Sequence, residues 1–119
     1  MEKLRCAVIG LGMGQYHVKG YAANPRAELV GIVDLDETRL SAVLETVPET
    51  QTFTDYKRMF KECKPQVVSV ALPNFLHEPV SVDCMEAGAD VMCEKPMSTN
   101  LESALRMEHA AVRTGRRIF

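Results

Sequence analysis

The sequence predicts a doubly wound α/β domain with a mostly parallel sheet, and three observations predict it. Short apolar runs alternate with helix-like stretches along all 119 residues. The runs are apolar at nearly every position, which suits strands buried on both faces rather than one. Proline, glycine and capping residues fall between them, so each run is closed before the next begins. Helices then cover both faces of the sheet through right-handed crossovers.

Each element follows from its residues. Leu4–Ile9 (LRCAVI) reads as a buried strand ended by Gly10. Met13–Ala23 reads as a helix stopped at Asn24-Pro25, because proline disfavours helix in the residue before it. Glu28–Val33 is a second strand ending at Asp34. Glu37–Thr46 follows as a helix, with Leu40, Val43, Leu44 and Val47 at helical spacing and Pro48 beyond. Gln51–Phe53 is long enough only for a short strand. Thr54 or Asp55 then caps a helix with Tyr56, Met59, Phe60 and Cys63 on one side. Val67–Leu72 (VVSVAL) is dense in β-branched residues, as a strand requires. Glu78–Ala87 reads as a helix terminated by Gly88, and Asp90–Cys93 as a fifth strand. Thr99-Asn100-Leu101-Glu102 fits a capping box that opens a helix ending near Gly115. Arg116–Phe119 begins a sixth strand, where the sequence stops.

Composition excludes several classes of partner. A net charge of −2 gives no electrostatic footprint for nucleic acid or an anionic membrane. No apolar stretch approaches the length of a bilayer span, and Met1-Glu2-Lys3-Leu4 leads into a strand rather than a secretory signal. Cys6, Cys63, Cys84 and Cys93 form no CxxC pair and no metal-ligand spacing. Buried, reduced thiols in a cytoplasmic protein with no metal site are expected.

The chemistry starts at Gly10, Gly12 and Gly14. A sharp turn from the first strand into a helix points unpaired N–H groups at the crevice, where they and the helix dipole suit a pyrophosphate. Gly10 permits the turn, and Gly12 lets the backbone approach phosphate oxygens. The usual fingerprint is G-x-G-x-x-G, but its last position here is Gln15. Either the turn is one residue shorter or Gly14 takes over close helix–strand packing. Asp34 stands 24 positions after Gly10, where an acid accepts hydrogen bonds from the adenosine ribose. Its charge repels a 2′-phosphate and so favours NAD over NADP. Leu35 and Asp36 add no positive charge, and Arg39 is placed a helical turn too far to count. Asp34 or Asp36 could instead cap the next helix.

Two further stretches fall at strand C-termini, the ligand-binding edge of open α/β sheets. LPNFLHEP (Leu72–Pro79) offers a stiff Pro73-Asn74 turn and His77 at a helix entry. CEKPMS (Cys93–Ser98) places Lys95 before a backbone fixed by Pro96, ready for a hydroxylated or anionic ligand. Tyr16 and His17 read as packing or solvent residues.

Together GLGMGQYH, VDLD, ALPNFLHEPV and AGADVMCEKPMS resemble the N-terminal half of the glucose–fructose oxidoreductase/inositol dehydrogenase (Gfo/Idh/MocA) family, from Leu4 to Phe119. The resemblance implies a Rossmann domain for NAD(P), followed in the family by a larger α/β substrate domain. It implies Gly10, Gly12 and Gly14 against the pyrophosphate, with Met13 over the cofactor edge and Asp34 on the ribose. Leu72, Pro73, Asn74 and His77 would flank the cofactor. Glu94 and Lys95 would lie near the nicotinamide and its ribose, with Lys95 reaching a substrate hydroxyl as the catalytic residue. The implied reaction is hydride transfer between a nicotinamide and a sugar- or cyclitol-like hydroxyl. The family's usual histidine and aspartate acid/base pair comes from the second domain. One domain over 1–119 is expected, with that second domain absent, little turnover alone, and an open sheet edge available for self-association. Two alternatives stay open: an S-adenosylmethionine-binding methyltransferase-like domain, which usually has an acid where Val8 stands, and a non-catalytic sensor or interaction module.

Overall fold

The computed structural model describes residues 2–119. Five strands, β1 (Leu4–Ile9), β2 (Ala27–Val33), β3 (Gln51–Phe53), β4 (Val67–Val70) and β5 (Asp90–Cys93), form one parallel sheet in the order β3-β2-β1-β4-β5. The helices are α1 (Gly14–Ala23), α2 (Glu37–Leu44), α3 (Tyr56–Cys63), α4 (His77–Glu86) and α5 (Leu101–Thr114). Beyond β5, Ile118 makes a single parallel bridge to Val91, with Phe119 N donating to Val91 O at 2.9 Å. The expected sixth strand is therefore present as a one-bridge pairing.

Strand alternation divides the core in two. Ala7, Ile9, Val68, Val70 and Val91 pack against Met59, Val80, Cys84, Met85 and Ala110 from α3, α4 and α5. Val8 and Ile32 point the other way, onto Val18 of α1 and Leu40 and Val43 of α2. Both faces are thus closed, which explains why the strands lack polar alternation. All four cysteines are free thiols, three of them buried.

Several boundaries differ from the sequence reading, each for a local reason. Val67–Leu72 stays in the sheet only to Val70, and the chain then enters a 3-10 turn over Asn74–Leu76 that leads directly into α4. The last helix is capped by Asn100 rather than Thr99, because the Asn100 side chain accepts from Ser103 N at 2.8 Å. Asp55, not Thr54, caps α3 by accepting from Lys57 N at 2.9 Å. Lys64 ends α3 in the left-handed region at φ 47°, where sequence reasoning would look for glycine.

The first crossover is pressed against the centre of the sheet. Gly10 has φ 92°, and a Cβ there would lie 2.5 Å from the Ala71 carbonyl oxygen. A Cβ on Gly14 would lie 2.9 Å from Val8 Cγ1 and 3.3 Å from Ala71 Cβ, so Gly14 provides the close helix–strand packing. Gly20, on the exposed side of α1, has no neighbour within 4 Å. Alanine substitutions should therefore separate in denaturant unfolding. Gly10→Ala loses about 3 kcal/mol from backbone strain and the carbonyl clash. Gly14→Ala loses roughly 2 kcal/mol, because its Cβ overpacks against the fully buried, β-branched Val8 side chain. Gly20→Ala gains up to about 1 kcal/mol from helix propensity.

Candidate functional site

The site is built where β1, β2, β4 and β5 release the chain at one edge of the sheet. Its floor is the turn from Gly10 to Met13, which leads into α1. Among the described residues, no acceptor meets the backbone N–H groups of Gly12, Met13, Gly14 or Gln15. Their common direction at a helix start makes a cradle for negative charge. A Cβ on Gly12 would find only Arg39 Nη1, 3.9 Å away, so the approach to these amides is open. Gln15, where the fingerprint has its last glycine, turns its amide back to Gly12 O at 3.0 Å. The cradle fits a diphosphate.

Asp34 stands beside it and is anchored twice. One carboxylate oxygen accepts from Leu11 N at 2.8 Å and the other from Asp36 N at 2.8 Å. Burial opposes its charge, yet the Asp36 and Leu11 amides and the Arg39 guanidinium outweigh burial and hold the carboxyl below the usual range. Asp36 caps α2 by accepting from Thr38 N and Arg39 N, which leaves Asp34 to the loop. Arg39 does reach the site, contrary to the spacing argument: its Nη1 lies 3.3 Å from Asp34. One turn of α2 carries it back over the loop.

The other two loops are tied to each other through His77. The ring is fully buried, with Nδ1 2.7 Å from Pro96 O and Nε2 2.8 Å from Leu72 O. Both ring nitrogens thus face carbonyl oxygens of the two loops. His77 therefore lies beneath the loops as a brace rather than at their opening. Leu72 is half-buried and meets the position a Gly10 Cβ would take at 3.0 Å, so this loop abuts the glycine turn. Pro73, Asn74 and Met13 are exposed at the same edge. Lys95 is also exposed, and its ammonium makes no ion pair among the described residues.

Glu94 joins the loop after β5 to α1, through residues that sequence reasoning set aside. Its Oε2 lies 2.7 Å from His17 Nε2, while His17 Nδ1 lies 2.8 Å from Ser69 Oγ. Tyr21 OH meets the same Ser69 Oγ at 2.8 Å. The His17 hydrogen bond is the largest influence on Glu94 and, against burial, holds its carboxyl below the usual range with help from Lys95. Burial pushes the Tyr21 phenol up, so it remains a donor. The signal was present in the sequence: His17 and Tyr21 share a helix face, and Ser69 is the one polar residue in VVSVAL.

A separate hollow of 480 Å³ lies at the β3 edge, lined by Glu37, Gln51, Phe53, Asp55, Arg58 and Glu62 among others. Its acids repel phosphate, and Arg58 is already held by Glu62 at 2.5 Å. No group of three metal-ligating side chains occurs among the described residues, and no helix there is long and apolar enough to cross a membrane.

The chain is similar to known proteins over nearly its whole length. Residues 4–119 match the family model described as an oxidoreductase family with an NAD-binding Rossmann fold. Inositol 2-dehydrogenase of Pseudarthrobacter chlorophenolicus is 33% identical over 118 residues, covering 98% of this chain and 35% of that protein. D-glucoside 3-dehydrogenase of Escherichia coli is 34% identical over 115 residues, covering 95% of this chain and 33% of that protein. The WlbA dehydrogenase of Bordetella pertussis, solved with NADH and UDP-GlcNAcA, superposes with a TM-score of 0.91 at 29% identity, over 99% of this chain and 36% of that one. The chain spans about a third of the length of these relatives. With its amide cradle, its anchored strand-end acid and a match over nearly every residue, the chain belongs to the Gfo/Idh/MocA oxidoreductase family and is an NAD-binding Rossmann domain of that family.

Proposed function

We propose that this domain holds NAD in preference to NADP and serves hydride transfer at a hydroxyl-bearing carbon of a sugar- or cyclitol-like substrate. The observation that carries the reading is the meeting of three features at one edge: bare amides, an ionised Asp34, and an exposed Lys95 without an ionic partner. The names of the inositol and glucoside dehydrogenase relatives support the substrate class. When bound, the nicotinamide supplies the hydride chemistry.

This chain's residues have separate tasks in the reading. Gly12, Met13, Gly14 and Gln15 offer N–H groups to the diphosphate. Asp34 keeps lone pairs free for ribose hydroxyls while its present bonds fix its direction. Leu72, Pro73 and Asn74 form the wall beside the cofactor, and His77 holds that wall to the loop of Lys95. Glu94 and Lys95 face the nicotinamide half, and Lys95 donates to the reacting hydroxyl and steadies charge that develops there. The substrate's other wall belongs to a further domain, a reading supported by relatives about three times as long. Free cysteines support a reducing, cytoplasmic setting.

Calorimetry tests the cofactor preference. The chain should bind NAD at least about tenfold more tightly than NADP, and Asp34→Ala should weaken NAD by about tenfold, the worth of a charged hydrogen bond. Equal affinity for the two cofactors would contradict the reading. Asp34→Ser should reverse the preference, since it removes the repelling charge and frees Arg39 for a 2′-phosphate.

The same carboxylate sets a pH dependence. A depressed pKa means that the ionised form persists as pH falls through the ordinary aspartate range. NAD affinity should therefore stay level from about pH 8 to about pH 5 and decline only below about pH 4. A midpoint near neutrality in the titration would assign the grip to another group.

A further inference from the structure

The chain of hydrogen bonds from Tyr21 to Glu94 has a direction. An ionised Glu94 can only accept, so His17 Nε2 carries the proton of their 2.7 Å contact. In a neutral ring, Nδ1 is then the acceptor and takes the Ser69 hydroxyl proton at 2.8 Å. Ser69 Oγ in turn accepts from Tyr21 OH at 2.8 Å. Every group is satisfied head to tail in this arrangement. A proton on Nδ1 would instead make Ser69 Oγ accept from the ring and reverse the Tyr21 contact, with Ser69 donating to Tyr21 OH.

The chain also has a notable location. His17 lies one turn into α1, the helix whose first amides form the phosphate cradle. Ser69 is fully buried on β4 beneath that helix. Glu94 immediately precedes Lys95, and its own N–H donates to Val70 O at 3.0 Å. Three elements that end at the site are therefore locked together by one imidazole with little exposure.

We propose that His17 is a positioning residue: held through Nδ1 by Ser69 and donating from Nε2 to the accept-only Glu94 carboxylate, it aims that carboxylate and so sets the Glu94-Lys95 loop relative to the phosphate cradle. This rests on the reading that the Glu94-Lys95 loop serves the nicotinamide half of the cofactor. It assigns His17 to that half alone, although the residue lies on the phosphate-binding helix. The diphosphate and adenosine contacts do not pass through it.

Two substitutions separate aim from packing. In His17→Gln the side-chain amide reaches as far as Nε2 and can still donate to Glu94. In His17→Asn it reaches only as far as Nδ1, so the Ser69 contact survives and the Glu94 contact does not. NADH and ADP-ribose, which lacks the nicotinamide, are titrated into the chain and both variants by calorimetry. The expected result is that His17→Asn weakens NADH about tenfold and leaves ADP-ribose within about twofold, while His17→Gln keeps both within about threefold. Equal losses of NADH in the two variants, or equal losses of both ligands, would overturn the assignment. Nitrogen NMR of the His17 ring in the ligand-free chain decides the hydrogen-bond direction independently. Nε2–H at neutral pH supports the proposal, and Nδ1–H contradicts it. If the unsubstituted chain binds neither ligand while the ring is Nε2–H, the dinucleotide reading fails and the positioning of Glu94 stands.

Discussion

The site depends on how closely the first crossover lies against β4. Gly10 and Gly14 admit the Ala71 backbone and the Val8 side chain at distances no Cβ would tolerate. That approach brings the start of α1 to the centre of the sheet, where the strand order turns outward on both sides. The free amides then face the crevice, Leu11 N reaches Asp34, and His17 reaches both Ser69 and Glu94. Displacing the helix by one methyl group would disturb all of these contacts together, because close-packed interiors transmit small changes.

Polar side chains then join the four strand ends. Asp34 connects β2 to the glycine turn, His77 connects the loops after β4 and β5, and His17 connects α1, β4 and the loop after β5. Each is a short bond with restricted exposure, where desolvation strengthens a satisfied contact and penalises a broken one. Lys95 is left out of this mesh. A lysine whose loop is fixed but whose ammonium is exposed is suited to meeting a ligand rather than supporting the fold.

The architecture was largely legible in the sequence because burial on both faces writes itself as uninterrupted apolar runs. The strand cores, the helix order and the roles of Gly10, Gly12 and Asp34 as candidates followed from that pattern. Boundaries moved where the sequence offered two adjacent caps, as at Thr99-Asn100 and Thr54-Asp55, since a hydrogen bond and not a propensity selects between them. Arg39 and His17 have partners that spacing does not show, for a different reason. Linear spacing measures position along a helix, whereas their partners lie across the crevice on other strands. The fingerprint's shifted third glycine found its explanation only in three dimensions, in the contact of Gly14 with Val8.

The cofactor is expected on the four amides of the glycine turn, and backbone NMR reads them one at a time. Titrating NAD into the isotopically labelled chain should move the amide resonances of Gly12, Met13, Gly14 and Gln15 first and furthest, with Asp34 following. The hollow at Gln51–Asp55 should remain still. Saturable shifts centred on that hollow, with the four cradle amides unmoved, would contradict that expectation.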